Sequence, residues 1–178
     1  MVAYHDTEWG VPVHDEKKLF EFIVLDAMQA GLSWRTVLQK RHNFEEAFDG
    51  FDFFKIAEYG DQDLERLMTN EGIIRHRQKL VATITNAQAV LPVRREFGSL
   101  DTYLWQFVDG SPTMNAWTDG SQIPAKSPVA EAMSKDLKRR GFKFVGPTIC
   151  YAFMQAAGLV NDHVTDCFRY EELANLTE

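Results

Sequence analysis

Short polar residues punctuate this chain and restrict what it can fold into. Asp15, Ser33, Asn43, Asp52, Asp61, Ser99 and Ser127 each stand just ahead of apolar residues spaced three and four apart. Such side chains accept hydrogen bonds from the unpaired first-turn amides of a helix, and the spacing gives each following segment one apolar face. Asp15 opens a helix to Ala30, stopped by Gly31. Ser33 opens another through Val37 to His42, and Asn43 and Asp52 cap short ones. A longer helix runs from about Ile74 to Val90, with Pro92 disrupting its end. Ser127-Pro128 starts a helix ending at Arg140. Asp109 to Lys126 has no period and reads as a loop. Val, Ile and Thr never alternate long enough to predict a strand. The expected fold is all-α, with many short helices in two closely packed lobes of one domain over residues 1–178.

A chain of 178 residues can bury a sizeable core without staples. Its two cysteines, Cys150 and Cys167, imply no disulfide framework, so a reducing cytoplasm is the default location. No run of about 18 apolar residues suggests a membrane span, and the start, Met-Val-Ala-Tyr-His-Asp, lacks a signal pattern. The net charge of −7 argues against coating nucleic acid by bulk charge but leaves room for a local basic patch.

One such patch lies at Lys138, Arg139, Arg140 and Lys143, opposed nearby by Asp136. Gly141 and Gly146 bracket Phe-Lys-Phe-Val there, and Pro147 opens the next helix. Unpaired amides at that helix start would favour an anion such as a DNA phosphate. An ordinary helix-turn-helix corner with solvated lysines fits the spacing as well. A second basic segment, Arg75-His76-Arg77-Gln78-Lys79, reads as a solvated helix face or a weaker counterpart.

His163 and Cys167 are four apart, which on a helix places both side chains on one face. Imidazole and thiolate together suit zinc, but two ligands are not a site. His5 is a candidate third. A packed or capping histidine and a buried thiol are the simpler explanation of the pair. At the front of the chain, Tyr4, Trp9 and Trp34 accompany Asp26, which interrupts the apolar run Phe22 to Leu25. A carboxylate facing a core is costly unless paired or used, and aromatic faces beside it would receive a flat cation. A surface aspartate beside an aromatic core is the alternative. Leu32, at a helix junction, is either core or an exposed wedge.

Tyr-His-Asp-x-Glu-Trp-Gly from Tyr4, Gln-Ala-Gly-Leu-Ser-Trp from Gln29, Gly-Ile-Ile-Arg-His-Arg from Gly72, and Gly-Phe-Lys-Phe-Val-Gly-x-Thr-Ile-Cys-Tyr with Val-Asn-Asp-His-Val occur in that order. Together they resemble the 3-methyladenine DNA glycosylase I family over nearly the whole chain. The resemblance implies the helix-hairpin-helix glycosylase fold. It implies hydrolysis of the N-glycosidic bond of 3-methyladenine in double-stranded DNA, by base flipping, without lyase activity. It places the base pocket at Tyr4, Trp9, Asp26 and Trp34, with Asp26, Tyr4 and Trp34 the catalytic candidates. DNA contacts would come from Leu32 as a wedge and from Gly141, Lys143, Val145 and Gly146 at the hairpin. Structural zinc would be held by His5, His163 and Cys167. Related glycosylases that attack neutral bases carry a catalytic aspartate where this chain has Asn161, in keeping with a cationic base that leaves readily.

Two departures stand out. The family usually has glutamate at Asp26, one methylene longer. Its fourth zinc ligand, a cysteine upstream of the Tyr-His motif, has no counterpart in the three residues before Tyr4, so a three-coordinate site completed by water, or an empty one, is expected. A monomer is expected. A non-catalytic DNA-binding protein, or a zinc-stabilised helical protein unrelated to DNA, are the other readings the residues allow.

Overall fold

The computed structural model describes residues 1–176. In chain order the helices are α1 (Val2–Thr7), α2 (Glu16–Gln29), α3 (Trp34–Gln39), α4 (Arg41–Ala47), α5 (Phe53–Ile56), α6 (Asp61–Thr69), α7 (Arg77–Phe97), α8 (Leu100–Trp105), α9 (Pro128–Arg139), α10 (Pro147–Ala156) and α11 (Phe168–Asn175). The all-α reading holds. Asp15, Ser33, Asp52, Ser99 and Ser127 each cap a helix through the side chain, accepting from an amide two or three residues on. Asn43 does not: it lies inside α4, and its amide donates to the Gly72 carbonyl at 3.0 Å.

α2 is the axis of the core. Every residue from Leu19 to Met28 is buried, including Asp26. It packs against α3, α7, α8 and α10, and the buried apolar residues form one cluster from Leu19 to Val160.

Three expectations are corrected. α7 starts at Arg77, where the His76 ring accepts from the Lys79 amide, and it continues through Pro92 to Phe97. A proline inside a helix costs roughly 3 kcal/mol. Here Val90 and Val93 are fully buried, and Arg94 forks onto Glu16 of α2 at 2.8 and 3.1 Å, so packing holds the last turns in place. Gly98, at φ +89°, ends the helix.

The segment read as a loop holds a strand, β1 (Thr113–Met114), which pairs in parallel with β2 (Val160–Asn161) in the register Thr113↔Val160 and Met114↔Asn161. Two-residue strands leave no periodic signal, and each partner is distant in sequence. His163 and Cys167 do not share a helix. His163 follows β2, and Cys167 is the residue preceding α11. No helix among the described residues is long and apolar enough to cross a membrane.

Candidate active site

α1 is short and carries no buried residue; Tyr4 packs against the core, and ion pairs of Glu8, just past the helix, fix its end. Arg41 of α4 donates to both oxygens of Glu8, at 2.8 and 2.5 Å, and through Nε to Glu21 of α2 at 2.5 Å. Lys18 bridges the same two glutamates at 3.3 and 3.0 Å. The segment after α1 is tied to α10: Gly10 N–H donates to Gln155 O, and Val13 N–H to Ala157 O, each at 3.0 Å. Gly158 permits this crossing. It stands at φ +74°, and a Cβ there would lie 2.3 Å from the Val11 carbonyl carbon.

These attachments hold Tyr4, His5 and Trp9 over the C-terminal half of α2. A pocket of about 290 Å³ opens between them, lined by Tyr4, Trp9, Asp26, Gln29 and Trp34, with Ala152, Gln155 and Ala156 of α10 along one wall. The Tyr4 and Trp34 rings lie 5.6 Å apart. Asp26 is 2 % exposed. Its Oδ2 and the Tyr4 hydroxyl are buried without a hydrogen-bond partner. Burial pushes the Asp26 carboxyl well above the usual carboxylate range. Burial, then the charges of Asp26 and Glu8, push the Tyr4 phenol up, so it stays neutral. The core-facing alternative for Asp26 is therefore the one realised. A buried carboxyl with an idle oxygen, facing aromatic rings, is a receptor waiting for a cation or a donor.

Beside the pocket, His5, His163 and Cys167 offer ligand atoms that all lie within 4.8 Å of one another. Cys167 Sγ is 3.5 Å from His163 Nδ1 and 3.9 Å from His5 Nε2. The other ring nitrogens are engaged elsewhere. His5 Nδ1 pairs with Asp6 at 2.7 Å, and His163 Nε2 with the Trp9 carbonyl at 3.0 Å. Trp9 thus touches both clusters, its ring 4.7 Å from that of His163. Asn161 is buried, donates to Tyr170 O and accepts from the His163 amide, so it is engaged in local structure.

Leu32 is exposed, just past Gly31 at φ +77°. At the hairpin, Lys143 is exposed, and its backbone is clamped at both ends by Asn86 of α7: its amide donates to Oδ1 at 2.7 Å and its carbonyl accepts from Nδ2 at 3.1 Å. Lys143 and Phe144 share a groove with Arg77, Gln78 and Val81, which brings the two basic segments together. The patch is smaller than its sequence suggests. Arg139 and Arg140 both pair with Asp136, and Arg140 also forks onto Glu96 of α7. The Val145 side chain is buried and its carbonyl accepts from Ser134 at 2.6 Å, so only its amide N–H is left for a ligand. Lys79, read as a surface charge, is buried and donates to the carbonyls of Met28 and Ala30.

Sequence reasoning did not find Gln155, Asn86 or Lys79. Ala152, Gln155 and Ala156 follow the i, i+3, i+4 spacing of one helix face, two of them small, which is the signal that α10 forms a pocket wall. Asn86 and Lys79 act on partners distant in sequence and give no local sign.

Residues 1–170 match the methyladenine glycosylase family. The DNA-3-methyladenine glycosylase 1 of Escherichia coli (strain K12) is 52% identical over 169 residues, covering 95% of this chain and 90% of the relative. A crystal structure of a 3-methyladenine DNA glycosylase I superposes with a TM-score of 0.91 at 53% identity, over 94% of this chain and 92% of that one. A variant of 3-methyladenine DNA glycosylase I in complex with 3-methyladenine superposes with a TM-score of 0.92 at 41% identity, over 94% and 90%. This chain belongs to the methyladenine glycosylase family.

Proposed function

We propose that this chain is a DNA-3-methyladenine glycosylase: it hydrolyses the bond between 3-methyladenine and deoxyribose in DNA and leaves an abasic site. The observation that carries this reading is the aromatic pocket with the buried, unpartnered carboxyl of Asp26 at its floor, in a chain of this family.

N3 alkylation makes the adenine of the nucleotide cationic, so the glycosidic bond is weakened before the enzyme acts. Water adds to C1′, the C1′–N9 bond breaks with its electron pair going to the base, the base leaves neutral, and the proton of the attacking water passes to solvent. The protein must extract the base, hold it and admit water. The base flips out of the stack and lies against the rings of Tyr4 and Trp34, with Trp9 at the edge. Aromatic faces favour the cation, and its charge lowers the cost of ionising Asp26. Asp26 and the neutral Tyr4 hydroxyl then supply polar contacts. Leu32 fills the gap left in the duplex. Gly141, Lys143, the backbone of Val145 and Gly146 hold the DNA backbone.

The residues at the second cluster suit zinc. Two imidazole nitrogens and a thiolate are its preferred donors; the 3.5 Å separation of Cys167 and His163 is that of a tetrahedral edge around it, and the 3.9 Å to His5 is a little longer. His163 donates its remaining nitrogen to a carbonyl and His5 faces a carboxylate, the outer-shell pattern of metal-bound histidine. Zinc held there would be structural, fastening α1 to the segment before α11.

Base release from DNA treated with a methylating agent tests the reading. Free 3-methyladenine is expected, with loss in Asp26→Ala and Trp34→Ala. No release at high enzyme concentration overturns it.

A further inference from the structure

Gln155 lines the pocket, and its side chain ends in an amide, a group that can present either a donor or an acceptor. Its orientation is set from behind. Gln155 Nε2 donates to Asp162 Oδ2 at 2.8 Å. Asp162 is 1 % exposed and has no cationic partner among the described residues. Tyr151 donates to the same oxygen at 2.7 Å, and Asn115 and Trp117 donate to Oδ1, each at 2.7 Å. Both oxygens are occupied by donors, and a carboxylate can only accept, so the amide of Gln155 must turn its nitrogen towards Asp162. Its backbone is held too, the carbonyl accepting from Gly10. The oxygen of the amide is the end that Asp162 leaves free to accept.

We propose that Gln155 is a specificity-determining residue: Asp162 holds its amide so that the oxygen accepts a hydrogen bond from the exocyclic amine of adenine. The inference rests on reading this cavity as the base pocket. Guanine carries a carbonyl where adenine carries that amine, and two facing oxygens repel. Gln155 therefore favours N3-alkylated adenine over N3-alkylated guanine, although both are cationic and both have weakened bonds. Asp162 is the positioning residue behind it. The residue type makes the arrangement reversible. In Asp162→Asn the new amide keeps its oxygen for Asn115 and Trp117 and offers its nitrogen to Tyr151, whose hydroxyl can accept, and to Gln155, whose amide then turns over.

The test measures 3-methyladenine and 3-methylguanine released from the same methylated DNA. The unaltered protein prefers 3-methyladenine. Gln155→Leu is expected to lower the ratio of the two rates about tenfold, the worth of one hydrogen bond in a site built to make it. Asp162→Asn lowers the ratio at least as far, with 3-methylguanine release rising rather than falling. An unchanged ratio in Gln155→Leu overturns the proposal. So does an Asp162→Asn protein that loses both activities in equal proportion while remaining folded. Failure of the unaltered protein to release either base is a different result, and it overturns the reading of the pocket itself.

Discussion

The ammonium group of Lys79 donates to the main-chain oxygen of Ala30 at 2.5 Å, joining the start of α7 to the turn that carries Leu32. A second bond reaches Met28 O at 2.8 Å. Lys79 therefore closes the C-terminal end of α2, where carbonyls lack helical partners and the helix dipole favours a cation. Burial lowers its pKa, which marks the cost of keeping that charge inside.

Lys79→Met keeps the aliphatic stem and removes the donor. It is expected to destabilise the protein by about 1–3 kcal/mol, because buried carbonyls lose a charged partner. For a chain of this size each kcal/mol is roughly 2–4 °C in Tm. Base excision should fall towards that of Leu32→Ala, since the turn that carries Leu32 loses its support. Thermal melts and excision rates check both. A Lys79→Met protein with full excision would separate the turn from the reaction.

Asp26 should cost the free protein stability at neutral pH. Its pKa is raised in the folded state by burial, so folding favours the protonated form. The folded state is least penalised below the unfolded pKa of about 3.9, and the penalty grows as pH rises towards the folded pKa. Asp26→Asn has nearly the same shape and cannot ionise. It is expected to be more stable than the unaltered chain at pH 8 by about 1–3 kcal/mol, with the advantage shrinking to nothing near pH 4, while base release is lost. Urea denaturation across this range is the measurement. Equal stability at every pH would mean that Asp26 is not held against its charge.

Among the basic residues of the hairpin, Lys143 and Arg140 should behave differently. Lys143 is exposed and has no ion-pair partner among the described residues. Arg140 is tied to Asp136 and Glu96 and lies over the rings of Phe97 and Tyr103 at 4.8 and 5.1 Å. Although burial opposes it, hydrogen bonds from Arg140, Arg139 and Tyr103 hold Asp136 down to about 2. Lys143→Glu is expected to leave Tm unchanged, weaken DNA binding and flatten its log-salt slope by about 0.9 for each phosphate no longer neutralised. Arg140→Ala should instead cost about 1–3 kcal/mol of stability. Salt titrations of DNA binding, read beside melts, distinguish the two.

The contrast between these residues marks how far the sequence could be read. Helix existence was legible because a cap and a 3.6-residue period are local, as at Asp15, Ser33 and Ser127. Asp26 was conspicuous because a carboxylate broke an apolar run. Arg140 and Lys143 looked alike because ion pairing with Glu96 depends on α7 lying alongside, which no local pattern records. Pro92 misled for a related reason: packing of Val90 and Val93 outweighs a local penalty. His163 and Cys167 were paired for a helical reason that proved wrong, yet they meet. The turn between β2 and α11 brings them together instead.

Zinc should be removable with a measurable structural consequence. His5 lies on α1, a six-residue helix with no buried residue of its own. A metal at His5, His163 and Cys167 would join both ends of the chain, and its binding energy would appear as folding energy. Purified protein is expected to hold close to one zinc per chain by mass spectrometry. Chelation should lower Tm, and His163→Ala should abolish both the metal and the chelator response. Because His163 also contacts the Trp9 carbonyl, the metal-free protein should bind free 3-methyladenine more weakly, through a displaced pocket edge. Cys167→Ser retains the shape and loses the thiolate, so it should reproduce the metal loss with less disturbance of packing. Metal-replete protein containing no zinc, with a Tm indifferent to chelator, would reduce the cluster to packing contacts.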